Sequence, residues 1–120
     1  MAEEISWHVE LRVKPGQLGN FRRLTGEMVA AARREPGVLS YQRFVSEDGT
    51  AVHIYERYAD SAAAVVHLEE FAKRFAARFI AMVERKRFTV FGYPSAGLKA
   101  VLDGFNAMYL KPFSDFDYWA

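Results

Sequence analysis

EPGVLSYQRFVSEDGTAVHIYERYAD, residues Glu35 to Asp60, holds two β-rich runs, Val38 to Val45 and Ala51 to Tyr58. Between them lies Ser46-Glu47-Asp48-Gly49-Thr50. Asp-Gly is favoured where the backbone must take a positive φ, so the stretch predicts a β-hairpin. Pro36-Gly37 closes the segment before the hairpin, and Asp60-Ser61 opens the segment after it. A helical pattern lies on each side, and the hairpin is read as the centre of a sheet. In its second strand Val52, Ile54, Glu56 and Tyr58 share one face, while Ala51, His53, Tyr55 and Arg57 share the other. A carboxylate, Glu56, thus stands among apolar neighbours.

Working outward, Ile5 to Val13 alternates, with Trp7, Val9, Leu11 and Val13 on one side and Ser6, His8, Glu10 and Arg12 on the other. Lys14-Pro15-Gly16 ends that strand. From Gln17 to Arg34 the spacing predicts a helix: Leu18, Phe21, Thr25, Met28 and Ala32 recur on one stripe, widened by Leu24 and Val29. Asp60 is a suitable N-cap for a second helix, along which Val65, Leu68, Ala72, Phe75, Phe79 and Met82 keep the period. A kink is expected at Glu69-Glu70. Lys86 to Tyr93 reads as a fourth strand, Ala96 to Asp103 as a short helix and Phe105 to Leu110 as a last strand. The tail from Lys111 carries Phe113, Phe116, Tyr118 and Trp119, an apolar end expected to dock, in the first place on another subunit. The order is β-α-β-β-α-β with an appended helix and strand, the ferredoxin-like α+β arrangement, with helices on one face of an antiparallel sheet. One domain is expected across 120 residues.

Composition narrows the function. Aromatic residues make up 15% of the chain, which suggests an aromatic-lined pocket or an apolar surface covered by a partner. A net charge of +1 lends no electrostatic support to nucleic-acid binding. The Arg-rich clusters alternate with Glu and read as solvated helix faces and ends. With no cysteine, disulfides and thiolate chemistry are excluded. No apolar run reaches the ~18 residues that would span a membrane. The acidic start, MAEEISWHVE, lacks an apolar signal region, so a cytoplasmic location is expected. There is no GxGxxG or phosphate-loop pattern and no GxSxG elbow. His8 and His53, on the outward faces of two strands, are read as a polar contact between subunits, and no metal site is expected.

Val13-Lys14-Pro15-Gly16, Glu35-Pro36-Gly37-Val38-Leu39-Ser40-Tyr41, Tyr55-Glu56-Arg57-Tyr58-Ala59-Asp60 and His67-Leu68, taken in order, resemble the antibiotic biosynthesis monooxygenase (ABM) domain. The resemblance runs over about residues 5 to 93. It implies a homodimeric α+β barrel built by packing two sheets face to face, with a pocket between each sheet and its helices. Some members of that family oxidise anthrone- or quinol-type aromatics with molecular oxygen and no metal or flavin, and a branch degrades haem. By alignment, Ile54 and Tyr58 take the places of the Asn and Trp of the anthrone oxidisers, and Ala64 that of a helix Tyr. Val9, His67 and Phe75 fall where the haem-degrading branch has its Asn, Trp and axial His. What matches the wider family is Glu56 with His67, together with Tyr41.

These residues lead to a first expectation: a cofactor-independent monooxygenase acting on a small aromatic, quinol-like or polyketide-like substrate. Glu56 and His67 are its catalytic pair, bound to each other, and Trp7, Tyr41, Ile54 and Tyr58 its substrate-binding walls. His67 would take a phenolic proton and leave an electron-rich anion to meet oxygen. A different class stays open: a non-catalytic dimer that binds a small hydrophobic ligand or serves in stress response, with Glu56 and His67 in a structural contact. Either reading asks for an enclosed cavity of about 300 Å³ or more, with both polar side chains facing it. A packed site would leave a structural role.

Overall fold

The computed structural model describes residues 3–114 and 116. Five strands and four helices are formed by them: β1 (Ile5–Val13), α1 (Leu18–Ala32), β2 (Val38–Val45), β3 (Ala51–Tyr58), α2 (Ser61–Arg74), α3 (Ala76–Met82), β4 (Val83–Phe91), α4 (Ala96–Asp103) and β5 (Met108–Leu110). The strands lie in the order β2-β3-β1-β4-β5 in an open sheet. All pairs are antiparallel except β4 with β5, which is parallel, so the sheet is mixed rather than purely antiparallel. The parallel step comes from α4, a crossover that lets the chain return in the same direction.

The hairpin is not the centre of the sheet. β1 is, flanked by β3 and β4, and β2 is an edge. The reason lies in the side chains. All five inward residues of β1, Ile5, Trp7, Val9, Leu11 and Val13, are buried, whereas β2 has no fully buried residue and leaves Phe44 and Val45 exposed. The turn itself forms as expected: Gly49 has φ +74°, and Asp48 accepts from the Ser46 hydroxyl at 2.7 Å and from the Thr50 amide at 3.1 Å.

The helices cover the inner face of the sheet, and the core lies between the two layers. From α1 it receives Phe21, Leu24, Met28 and Ala32. The second helix is N-capped by Asp60, whose carboxylate accepts from the Ala63 amide at 2.8 Å. Its break comes at Phe75 (φ −126°, ψ −23°), not at Glu69-Glu70. Glu69 is exposed and Glu70 half-buried, so nothing there demands a bend. The break at Phe75 lets both Phe75 and Phe79 enter the core.

β4 begins at Val83, three residues earlier than the alternation indicates. A bulge explains the difference. Glu10 pairs with Arg87 and Leu11 with Arg85, so Lys86 is an extra residue in β4. The bulge breaks the two-residue period and turns Arg85 to the inner face. β5 starts later than expected because the residues after α4 form a turn, with Asn106 left-handed at φ 58°. In the tail, Phe113 is 99% and Phe116 77% exposed on this chain. Tyr118 and Trp119 lie outside the described residues. No helix among the described residues is long and apolar enough to cross a membrane.

Candidate active site

Strand alternation sends Glu56 inward between Ile54 and Tyr58, and all three are buried. Opposite them, His67 faces the sheet from the second turn of α2 and is also buried. The two side chains meet, with His67 Nε2 3.5 Å from Glu56 Oε1. That is longer than an ordinary N–H···O bond. Each residue takes its closer hydrogen bond elsewhere. Tyr58 donates its hydroxyl to Glu56 Oε1. His67 Nδ1 lies 3.3 Å from Glu35 Oε2, at the start of the hairpin stretch. The expected His67–Glu56 pair is therefore a close contact inside a chain of four groups: Glu35, His67, Glu56 and Tyr58.

The chain has a definite chemistry. A neutral imidazole has one N–H, so between two carboxylates it can donate to only one of them. Donation from Nδ1 to Glu35 leaves the Nε2 lone pair on the side of Glu56, available to accept a proton there. Two phenols stay protonated beside this charge. Burial, then the Glu56 carboxylate, push the Tyr58 hydroxyl well above its ordinary value. The same two causes, in the same order, raise Tyr41 against a partial offset from Arg43. Both therefore remain hydrogen-bond donors across the neutral range.

A hollow of about 40 Å³ lies against this chain. Of the expected site residues, Trp7, Tyr41, Ile54, Glu56 and His67 line it. Tyr58 does not. It stands behind Trp7, ring centroids 4.7 Å apart, with no exposed surface, and acts on the site through its bond to Glu56. Phe71, Phe79, Phe88 and Phe105 supply further aromatic wall. The volume suits a few waters rather than an aromatic ring system, and it is well below the roughly 300 Å³ that a small-molecule site needs. As it stands in this chain the inner site is nearly filled.

Four participants were not expected from the sequence. Glu35 reads there as a helix stop, and the packing of Gly37 against Ala63, one turn before His67 on α2, brings it within 3.3 Å of His67. Arg43 was legible, since the alternation that turns Tyr41 inward turns Arg43 inward too. Arg85 reaches the wall through the bulge, and its guanidinium lies 4.7 Å from the centre of the Phe105 ring. Phe105 comes from the turn after α4 and stacks on Phe88 at 5.5 Å. On the outer face of the sheet, His8 Nε2 and His53 Nδ1 are 2.8 Å apart, and Glu10 is 4.0 Å from His53. Among the described residues, no group of three or more His, Asp or Glu side chains is arranged to hold a metal ion.

An open ferredoxin-like sheet with its helices on one face places the chain among the small α+β proteins. The profile of the antibiotic biosynthesis monooxygenase family matches residues 5–77, more than half of the chain, and the chain belongs to that family. No curated protein sequence matches it significantly. Several solved structures share the fold. MupZ from Pseudomonas fluorescens has a TM-score of 0.87 at 19% identity, over 97% of this chain and 95% of its own. SnoaB from Streptomyces nogalater, described as a cofactor-independent oxygenase, has a TM-score of 0.66 at 16% identity, over 79% of this chain and 97% of its own. Rv0793 from Mycobacterium tuberculosis has a TM-score of 0.67 at 22% identity, over 78% of this chain and 97% of its own.

Proposed function

We propose that this protein is a monooxygenase that oxidises a small aromatic, quinol-like or polyketide-like molecule with molecular oxygen, using its own side chains rather than a metal or flavin. Membership of the monooxygenase family supports the reading, as does likeness in fold to a cofactor-independent oxygenase. The observation that carries it is His67, which lines the hollow beside an aromatic wall, with Glu35 at Nδ1 and Glu56 on the side of Nε2. In this scheme His67 Nε2 accepts the proton of an acidic phenol or activated CH₂, and the Tyr41 hydroxyl donates to the substrate oxygen that gains charge. The electron-rich anion then reduces oxygen. For a CH₂ converted to C=O, one oxygen atom enters the product and the other leaves with both hydrogens as water.

We further propose that two copies pack through the outer faces of their sheets to form a closed barrel. Phe44, Phe91, Met108 and Leu110 are exposed apolar side chains on that face, and His8 and His53 lie among them.

The test is oxygen uptake by chelator-treated protein over a panel of anthrones, naphthoquinols and catechols. Uptake by the wild type and its loss in His67→Ala is the expected result. Uptake that survives the substitution removes His67 from the reaction. A second reading is a non-catalytic dimer of the same fold that binds a small ligand or serves in stress response. The small inner volume favours its stress-response form, in which Glu56 and His67 are a structural contact. Absence of uptake across the panel is the outcome that reading requires, and ligand binding separates its two forms.

A further inference from the structure

Arg43 is a half-buried cation at the site without an acid. Its Nη1 donates to Thr25 Oγ1 at 2.9 Å, and its Nη2 to the Tyr41 hydroxyl at 2.8 Å and to Met28 Sδ at 3.4 Å. Its Nε is buried and has no hydrogen-bond partner. The guanidinium lies over the rings of Tyr41 and Phe21, at 5.1 and 5.5 Å from their centres. Among the described residues no carboxylate comes within ion-pair distance of it, whereas Arg78, Lys86 and Lys99 on the surface each have one. Withdrawing a cation from water without a counter-charge is costly, and neutral hydroxyl, thioether and ring contacts offset only part of that cost.

Arg43 also stands between two hollows. It lines the inner one of about 40 Å³ and an outer one of about 210 Å³ whose other walls include Leu18, Phe21, Thr25 and Val52. It is the one residue that the two linings share.

We propose that the site takes an aromatic or polyketide-like carboxylic acid, and that Arg43 is the anchor of its carboxylate. The inference rests on the reading that a ligand occupies the inner site. A carboxylate can take the Nε–H together with an Nη–H of one guanidinium edge, a pairing that no uncharged ligand reproduces. It satisfies the orphaned Nε–H and supplies the missing counter-charge. The Tyr41 hydroxyl accepts from Nη2 through its oxygen, so its proton, held by burial and by Glu56, is available to donate to the ligand. The anchor lies on β2, two residues from Tyr41 and on its face, so a ligand held there extends its ring system toward His67.

The experiment is calorimetric binding of 1-hydroxy-2-naphthoate and its uncharged methyl ester, without oxygen, to the wild type, Arg43→Gln and His67→Ala. Thermal melts check that each variant is folded. Arg43→Gln keeps most of the side-chain stem, so the fold is expected to survive. The wild type should bind the acid at least about tenfold more tightly than the ester, a difference of ~1.4 kcal/mol. Arg43→Gln should lose that preference and bind the ester as well as the wild type does, or better. His67→Ala should keep the preference. Equal binding of acid and ester by the wild type, an undiminished preference in Arg43→Gln, or no binding of the acid at millimolar concentration overturns the inference. Binding and turnover are read apart. Acid selectivity without oxygen uptake upholds this inference against the oxygenase reading, and uptake confined to uncharged substrates does the reverse.

Discussion

At the scale of single residues, the site is a set of proton holders whose identities are set by their neighbours. Tyr58 donates to Glu56, and Glu56 stands beside His67. Removing the Tyr58 hydroxyl leaves a buried carboxylate short of its best donor. Tyr58→Phe should therefore cost on the order of 1–3 kcal/mol, read from urea unfolding at neutral pH. The same phenols set an alkaline limit. Below the ordinary tyrosine value of 10.0 Tyr41 and Tyr58 are protonated in both folded and unfolded chains, and their contribution is fully present. Above it the unfolded chain releases protons that the folded chain retains, because burial and Glu56 raise both groups, so stability falls as pH rises. Unfolding midpoints from pH 9 to 11 should drop steeply in the wild type and less steeply in Tyr41→Phe. Equal slopes would remove Tyr41 from the effect.

At the scale of elements, placement of the site depends on two departures from regularity. One is the approach of the β2 start to α2, where a Cβ on Gly37 would collide with the Ala63 side chain. The same approach puts Glu35 on His67. Gly37→Ala must push the two elements apart, at a cost of about 1–3 kcal/mol, and it should weaken the Glu35–His67 contact as well. A melting temperature unchanged from the wild type would show that α2 yields without strain. The other departure is the bulge at Lys86, which aims Arg85 at the Phe105 ring on the wall of the hollow. Neither is visible in periodicity, because a bulge resets the alternation and a close approach involves residues far apart in the chain.

At the scale of the whole molecule, the described chain is an open sheet with helices on one side only. Its outer face carries exposed Phe44, Phe91, Met108 and Leu110, with half-buried Tyr55 nearer the middle. The proposed second copy would cover these side chains. Sedimentation velocity should give a dimer for the wild type and a monomer for Tyr55→Asp, which places a charge inside the proposed contact. A monomeric wild type ends the proposal. Deleting residues 112 to 120 tests the tail. If the truncated protein is as dimeric and as stable as the full chain, docking of the tail is wrong.

The sequence by itself determined the elements and the direction in which most of their side chains point. Turn chemistry at Asp48-Gly49, the alternation of β1 and β3 and the period of the helices are local properties, set by backbone geometry over a few residues. They were enough to turn Trp7, Tyr41, Ile54, Glu56 and His67 toward one interior. Only the tertiary structure decided that β1 and not the hairpin is central, that Glu35 reaches His67, that the bulge turns Arg85 inward and that Arg43 lines two hollows. Each of these depends on how segments distant in the chain fill the same space, and no local pattern carries that information.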